Sequence, residues 1–175
     1  MHTAPPPFPV GSFVPVHDVT ADSRRVWIQD ISSLPLQLRD AVDGLSDLQL
    51  DTKYRNWTIR QIVHHIADSH VNSYVRFKWT LTEDTPTIKA YDESLWSDLD
   101  ESKTGCIIPS LQLLDGLHAR CCQLLQKITS SQYESTFIHP ETDERISLNP
   151  AVGCYAWHGE HHTGQIQRLR DHLMS

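Results

Sequence analysis

With 175 residues, 15 Lys and Arg against 22 Asp and Glu, and a formal charge of -7, the chain is long enough for one domain with a real core and too short for two comfortable ones. That charge argues against an electrostatic grip on nucleic acid or an anionic membrane surface, so a small-molecule partner fits better. No apolar run approaches the roughly 18–20 residues of a membrane span, and Met1-His2-Thr3-Ala4-Pro5-Pro6-Pro7 has neither the basic start nor the apolar stretch of a secretory signal, which points to the cytoplasm.

Residues 1–20 hold Pro5, Pro6, Pro7, Pro9 and Pro15, so this stretch is expected to be an extended arm, a tail or a strap ordered only by lying on something else. Residues 21–175 form the domain. A first helix is expected from about Asp22 to Gly44, where Trp27, Ile31, Leu34, Leu38, Ala41 and Leu45 recur at three and four. Pro35 falls inside it and predicts a kink or a break, because proline removes a backbone donor and crowds the preceding turn.

The second helix follows Asn56-Trp57-Thr58 and runs to about Glu83. Ile59, Ile62, Val63, Ile66, His70, Tyr74, Phe77 and Leu81 form its stripe, and Thr85-Pro86 stops it. Ile88 to Ser102 reads as a polar and aromatic connection with Tyr91, Trp96 and several acids, and a loop of that length usually serves a site. The third helix, about Pro109 to Thr129, buries Leu111, Leu114, Leu117, Cys121, Leu124, Leu125 and Ile128. Phe137-Ile138-His139 and Arg145-Ile146-Ser147-Leu148 flank Pro140 to Glu144 as a small β-hairpin, after which Asn149-Pro150 caps and opens a fourth helix reaching Met174. The cysteines, at 106, 121, 122 and 154, include no CxxC pair and are expected as free thiols, Cys121 as a small core hydrophobe.

The chemistry lies in the histidines. His158 and His162 are four apart on the last helix, close enough for both rings to hold one divalent ion. With Val152, Tyr155, Gly159, Ile166, Leu169 and Leu173 they face the interior at 100° per residue, whereas His161 points away. Two adjacent buried imidazoles each need a partner, and one metal satisfies both. Candidates for a third ligand are His64, His65 and His70; periodicity alone favours His70, the one on the apolar stripe. Arg76 either binds an anionic substrate group or pairs with an acid.

The run from Asn56 through His70, then Tyr74-Val75-Arg76-Phe77-Lys78, Leu81 to Pro86, Tyr91-Asp92-Glu93 with Trp96, His139 to Thr142, and Tyr155-Ala156-Trp157-His158 with His161-His162, resembles the DinB superfamily and its YfiT-like branch over nearly the whole chain. The resemblance implies an all-α four-helix bundle, with the hairpin before its last helix and the Pro-rich arm at its N-terminus. It also implies a metal ligand eight residues after the tryptophan of a W-T/S-x-x-x-x-x-x-H pattern, which is His65, joined by the pair His158 and His162. His65 leaves the apolar stripe for a second, polar face of the helix with Asp68, Ser69 and Asn72. His64 and His161 are then expected in solvent or behind the ligands.

Three imidazoles with an open position describe a catalytic rather than a structural site for zinc or nickel. The resemblance implies a metal-dependent hydrolase using activated water, with Asp68 as the assisting base; Glu160 is a weaker candidate, turned away by its helical angle. It equally allows transfer of a low-molecular-weight thiol such as bacillithiol, whose anionic groups Arg76 or Arg60 would meet, and it suggests a homodimer. A non-catalytic metal-binding bundle is the third reading; a sensor would show a DNA-reading helix or basic surface, and neither is evident.

Overall fold

The computed structural model describes residues 5–16 and 18–174; Met1 to Ala4 and His17 of the expected arm, and Ser175, lie outside the described residues. Helix α1, Ala21–Val42, starts where the Thr20 hydroxyl accepts the Ser23 amide and Ser23 answers to the Thr20 amide, a capping box. It ends at Asp43 before Gly44, whose φ of +73° suits a glycine past a helix end. The kink or break expected at Pro35 does not end the helix: Pro35 is buried inside a continuous α1. Proline leaves the Ile31 carbonyl without its donor four residues on, and His118 of another helix bonds that carbonyl through Nδ1 instead.

A short helix α2, Asp47–Leu50, leads to a tight hairpin of β1, Lys53–Tyr54, and β2, Trp57–Thr58, turned at Arg55-Asn56 with Arg55 at φ 59°. The hairpin delivers Thr58 as the cap of α3, Ile59–Thr82, again with a capping box to Gln61. The connection expected to be irregular between 88 and 102 contains two short helices, α4 (Glu93–Ser97) and α5 (Asp100–Thr104). Asp92 caps the first, a local signal hidden by the absence of any helical-length apolar stripe.

Helix α6, Ile108–Lys127, is followed by a 3-10 turn at Gln132–Glu134 and by the expected hairpin, β3 (Thr136–His139) with β4 (Glu144–Ser147), in register Phe137↔Ile146. The last helix, α7, is Leu148–Met174 and begins two residues before the expected Pro150. Asn149 therefore sits within its first turn. Its side chain donates to Glu134 Oε1 and accepts from Arg24, tying α7 to the 3-10 turn and to α1.

The four long helices α1, α3, α6 and α7 make the bundle. Helix α1 packs on α7 and α6, and α3 packs on the same two, so the consecutive long helices α1 and α3 stand diagonally. Connections long enough to carry α2 with one hairpin, and the 3-10 turn with the other, let the chain cross the bundle ends. Close approach of α1 and α7 needs glycine: a Cβ on Gly159 would lie 2.6 Å from Leu34 Cδ2, and one on Gly153 2.9 Å from the Trp27 ring. Gly159→Ala should destabilise the protein by about 1–3 kcal/mol through overpacking. Gly116→Ala on α6, where a Cβ meets nothing within 4 Å, should stabilise it by up to about 1 kcal/mol. Paired thermal melts check both.

The core is divided into two apolar clusters. One contains Leu34, Leu38, Ile62, Ile66, Leu114 and Ile166; the other contains Ile28, Ile31, Phe77, Cys121, Leu125 and Val152. On α3 His70, on α6 His118, and on α7 His158 and His162 fall in sequence between the two clusters, so a layer of imidazoles crosses the bundle. No described helix is long and apolar enough to cross a membrane, and all four cysteines are free, Cys121 buried as expected.

Candidate metal centre

Helix α3 contributes His65, and α7 contributes His158 and His162; one ligand-type atom from each lies within 4.8 Å of the others. Ring centroids are 5.1 Å apart for His65 and His158, 4.7 Å for His65 and His162, and 4.5 Å for His158 and His162. The capped start of α3 places Trp57 against this group, 4.5 Å from the His65 ring and 6.2 Å from that of His162. The side chains from Ile59 through Ala67 are all buried, so the first turns of α3 present one face to the core and another to the histidines, and His65 need not share the apolar stripe.

The donor set fits a divalent ion. His65 Nε2 and His158 Nε2 stand 3.1 Å apart, near the roughly 3.3 Å that separates two nitrogens each about 2.0–2.1 Å from one tetrahedral ion. Burial holds all three imidazoles in the neutral, ligating form: it pushes His65 down to about 4, and His158 and His162 well below the ordinary histidine range, with repulsion from neighbouring imidazoles, His161 among them, adding to it.

The arm is a strap. The Pro6 carbonyl accepts from Tyr54 Oη at 2.6 Å, the Pro5 carbonyl from Arg55, the Gly11 carbonyl from Trp157 Nε1, and the Pro7 carbonyl from Gln165 Nε2 at 3.4 Å. Because that last carbonyl can only accept, the Gln165 amide nitrogen faces the arm and its oxygen faces His162 Nδ1, 2.9 Å away. His162 must then donate from Nδ1, which leaves Nε2 as its free lone pair.

The strap also decides between the two places expected for His161, which lies behind the ligands beside His162. That residue is buried, not in solvent: its ring stacks on Trp157 at 4.9 Å, meets Phe8 at 5.4 Å and takes a hydrogen bond from Gln165. Helical angle cannot reveal a segment folded over from 150 residues away. His64 is likewise buried, its Nδ1 2.8 Å from Ser110 Oγ at the α3–α6 contact. His70 lies behind the ligands: its Nε2 is 3.2 Å from His158 Nδ1 and its Nδ1 3.0 Å from His118 Nε2.

A cavity of about 380 Å³ opens in front of the three imidazoles, walled by Trp57, Ser69, Arg76, Tyr91, Glu93, His139, Glu141 and Trp157 among others. Arg76 donates to Tyr155 Oη and to the Lys89 carbonyl, its buried Nε has no partner, and among the described residues no carboxylate pairs with it. Tyr91 on the same wall has its phenol pushed up to about 12, chiefly by burial. Asp68 is not part of this wall. It is half-buried one residue before the lining Ser69, with its carboxyl pushed up to about 6 by burial and then by Glu101.

Glu160 is exposed on α7 toward Asp30, away from the cavity. Arg60 is not free to meet a ligand either: its guanidinium is bonded to Asp51, Asp47 and the Gly105 carbonyl, clamping α2 and the end of α5 to α3. A larger cavity of about 840 Å³ also includes Trp57 and His162 in its lining, with Lys53, Arg55 and Lys103 on its wall.

Sequence reasoning missed His118, Gln165 and Glu93. His118 had a signal, standing four after Leu114 and three before Cys121 on the buried stripe of α6; Gln165 had none.

A four-helix bundle in which two packed helices aim three imidazoles into one cavity has the donor set of a metal-binding bundle. The chain belongs to the DinB superfamily, whose family model matches residues 31–166. Among its relatives, YfiT of Bacillus subtilis (strain 168), named as a candidate metal-dependent hydrolase, is 46% identical over 164 residues, covering 93% of this chain and 92% of YfiT. A Bacillus mycoides (strain KBAB4) protein with the same kind of name is 47% identical over 168 residues, covering 95% of this chain and 96% of its own. The solved structure of B. subtilis YfiT, described as a metal-dependent hydrolase candidate with an unusual four-helix bundle topology, matches at TM-score 0.92 and 45% identity over 95% of this chain and 97% of that one.

Proposed function

We propose that this protein is a metal-dependent hydrolase whose small substrate carries an anionic group. The observation that carries the reading is the joint placement of three ligand-competent imidazoles and an arginine without a carboxylate partner on one cavity. Zinc or nickel, bound by His65, His158 and His162, would supply a Lewis acid and a water acidified to near neutral pH.

The remaining work falls to the chain's own side chains. Arg76, braced on the cavity wall by Tyr155 and the Lys89 carbonyl, is assigned to meet an anionic substrate group with its guanidinium and so orients the substrate. Asp68, behind the cavity wall with its carboxyl pushed up to about 6, is assigned as a proton store near neutrality rather than a group that touches the substrate. Trp57, Trp157 and the strap limit access of bulk water.

A second reading has its own observation. Two cavities share Trp57 and His162 in their linings, which suits a two-substrate reaction such as transfer of a low-molecular-weight thiol of the bacillithiol class to an electrophile. Protein reloaded with zinc or nickel and offered anionic esters or amides, with and without an added thiol, separates the two. Hydrolysis without thiol supports the first reading, turnover only with thiol supports the second, and turnover of nothing in either arm favours a non-catalytic bundle. For the active substrate, Arg76→Met should raise KM by about tenfold or more, the worth of a charge-assisted hydrogen bond, and leave KM for an uncharged analogue little changed.

A further inference from the structure

Two histidines and one proline outside the direct ligand set form a continuous path to His158. Pro35 has no N–H, so the Ile31 carbonyl lacks its helical donor four residues on and is met by His118 Nδ1. His118 Nε2 lies 3.0 Å from His70 Nδ1, with ring planes within 10°, and His70 Nε2 lies 3.2 Å from His158 Nδ1. Both His70 and His118 are almost wholly buried, 3% and 2% exposed, between the two apolar clusters, where a neutral ring is strongly favoured over a charged one.

A neutral imidazole has one N–H and one lone pair, and a carbonyl can only accept. The order of protons along the path is therefore dictated from its far end. His118 donates from Nδ1 to Ile31 and so accepts at Nε2. His70 must donate from Nδ1 and accept at Nε2. His158 must donate from Nδ1, and its Nε2 is left bare, facing His65 Nε2 at 3.1 Å.

We propose that His70 and His118 are positioning residues that relay a fixed proton order from the carbonyl freed by Pro35 to His158, presetting the lone pair on its metal-facing nitrogen and the orientation of its ring. The relay rests on the metal reading for its purpose, though not for its existence. Outer partners of ligating histidines fix tautomer and orientation in this way, and losing one typically weakens the metal by about 10–100-fold. Here the outer partner is a chain of two imidazoles ending on a proline-exposed helix carbonyl, so the sequence of α1 reaches the metal through α6 and α3.

Histidine-selective 15N spectra of the metal-free wild-type protein read the tautomer of each ring directly. The expected result is a proton on Nδ1 and none on Nε2 for His118, His70 and His158; a proton on Nε2 of His158 or of His70 overturns the relay. Zinc affinity by competition with a chromophoric chelator then tests its consequence. His118→Leu and His70→Leu should weaken zinc by about 10–100-fold and give His158 mixed tautomers, whereas His70→Gln, whose amide oxygen can accept the His158 N–H, should hold affinity within a few-fold. Unchanged affinity and tautomer in both leucine variants would refute it. Should a leucine variant fail to fold, the wild-type spectra still decide. Wild-type protein with the expected tautomers that takes up neither zinc nor nickel would retain the relay and remove the metal reading alone.

Discussion

His65→Ala, His158→Ala and His162→Ala should each abolish stoichiometric metal in protein purified without chelators, while His70→Ala retains it at saturating ion. The three changed side chains are those whose ligand atoms converge within 4.8 Å, and His70 reaches the site only through His158. The expected loss is large. A structural zinc is worth roughly 10–16 kcal/mol shared among four ligands, so one imidazole among three should account for at least about a hundredfold in affinity. Elemental analysis of the four variants beside the wild type, after reloading with zinc or nickel, is the measurement. Metal retained by His65→Ala and lost by His70→Ala would move the first ligand to the position that periodicity alone favoured.

The metal-free protein should also unfold cooperatively as pH falls below the ordinary histidine range. His65 is pushed down to about 4, His70, His158 and His162 well below their usual value, and His118 below it too, in every case first by burial. Between roughly pH 6.5 and 4 the unfolded chain binds protons at His65, His70, His158 and His162 and the folded chain does not, so stability is present above pH 6.5 and is lost as the pH falls. Each ring contributes about 1.4 kcal/mol per pH unit over that window. These four acting together approach roughly 6 kcal/mol per unit, against a typical total stability of about 5–15 kcal/mol.

Asp68, raised to about 6, works in the opposite direction, since the folded state takes up its proton first and gains stability as the pH falls toward the normal carboxylate range. One half-buried carboxylate offsets only part of four buried rings. Circular dichroism in urea at a series of pH values should therefore show a midpoint that drops steeply below pH 6.5. Saturating zinc should move the drop to lower pH, because ions and protons compete for the same nitrogens. A midpoint flat from pH 6.5 to 5 would mean that these rings are not buried as described.

The two predictions depend differently on what the sequence discloses. The His158–His162 pair is legible because residues four apart on a helix are neighbours whatever the rest of the chain does. His65 was reachable only through resemblance. Its angle on α3 argues for the wrong face until the helix is seen to be buried on both.

By itself the sequence determined what is local: four long helices from their apolar stripes, the hairpin of β3 and β4, and two imidazoles on one face of α7. The tertiary structure alone decided whatever joins residues distant in the chain. It folded the arm over His161 and Gln165, placed Arg76 on the cavity unpaired with any described carboxylate and tied Arg60 into a clamp. It also let a proline in α1, by withholding one N–H, leave a carbonyl for a histidine of α6. Side-chain periodicity encodes which face of an element is buried; it does not encode which partner will be found there, because that depends on how separate elements pack.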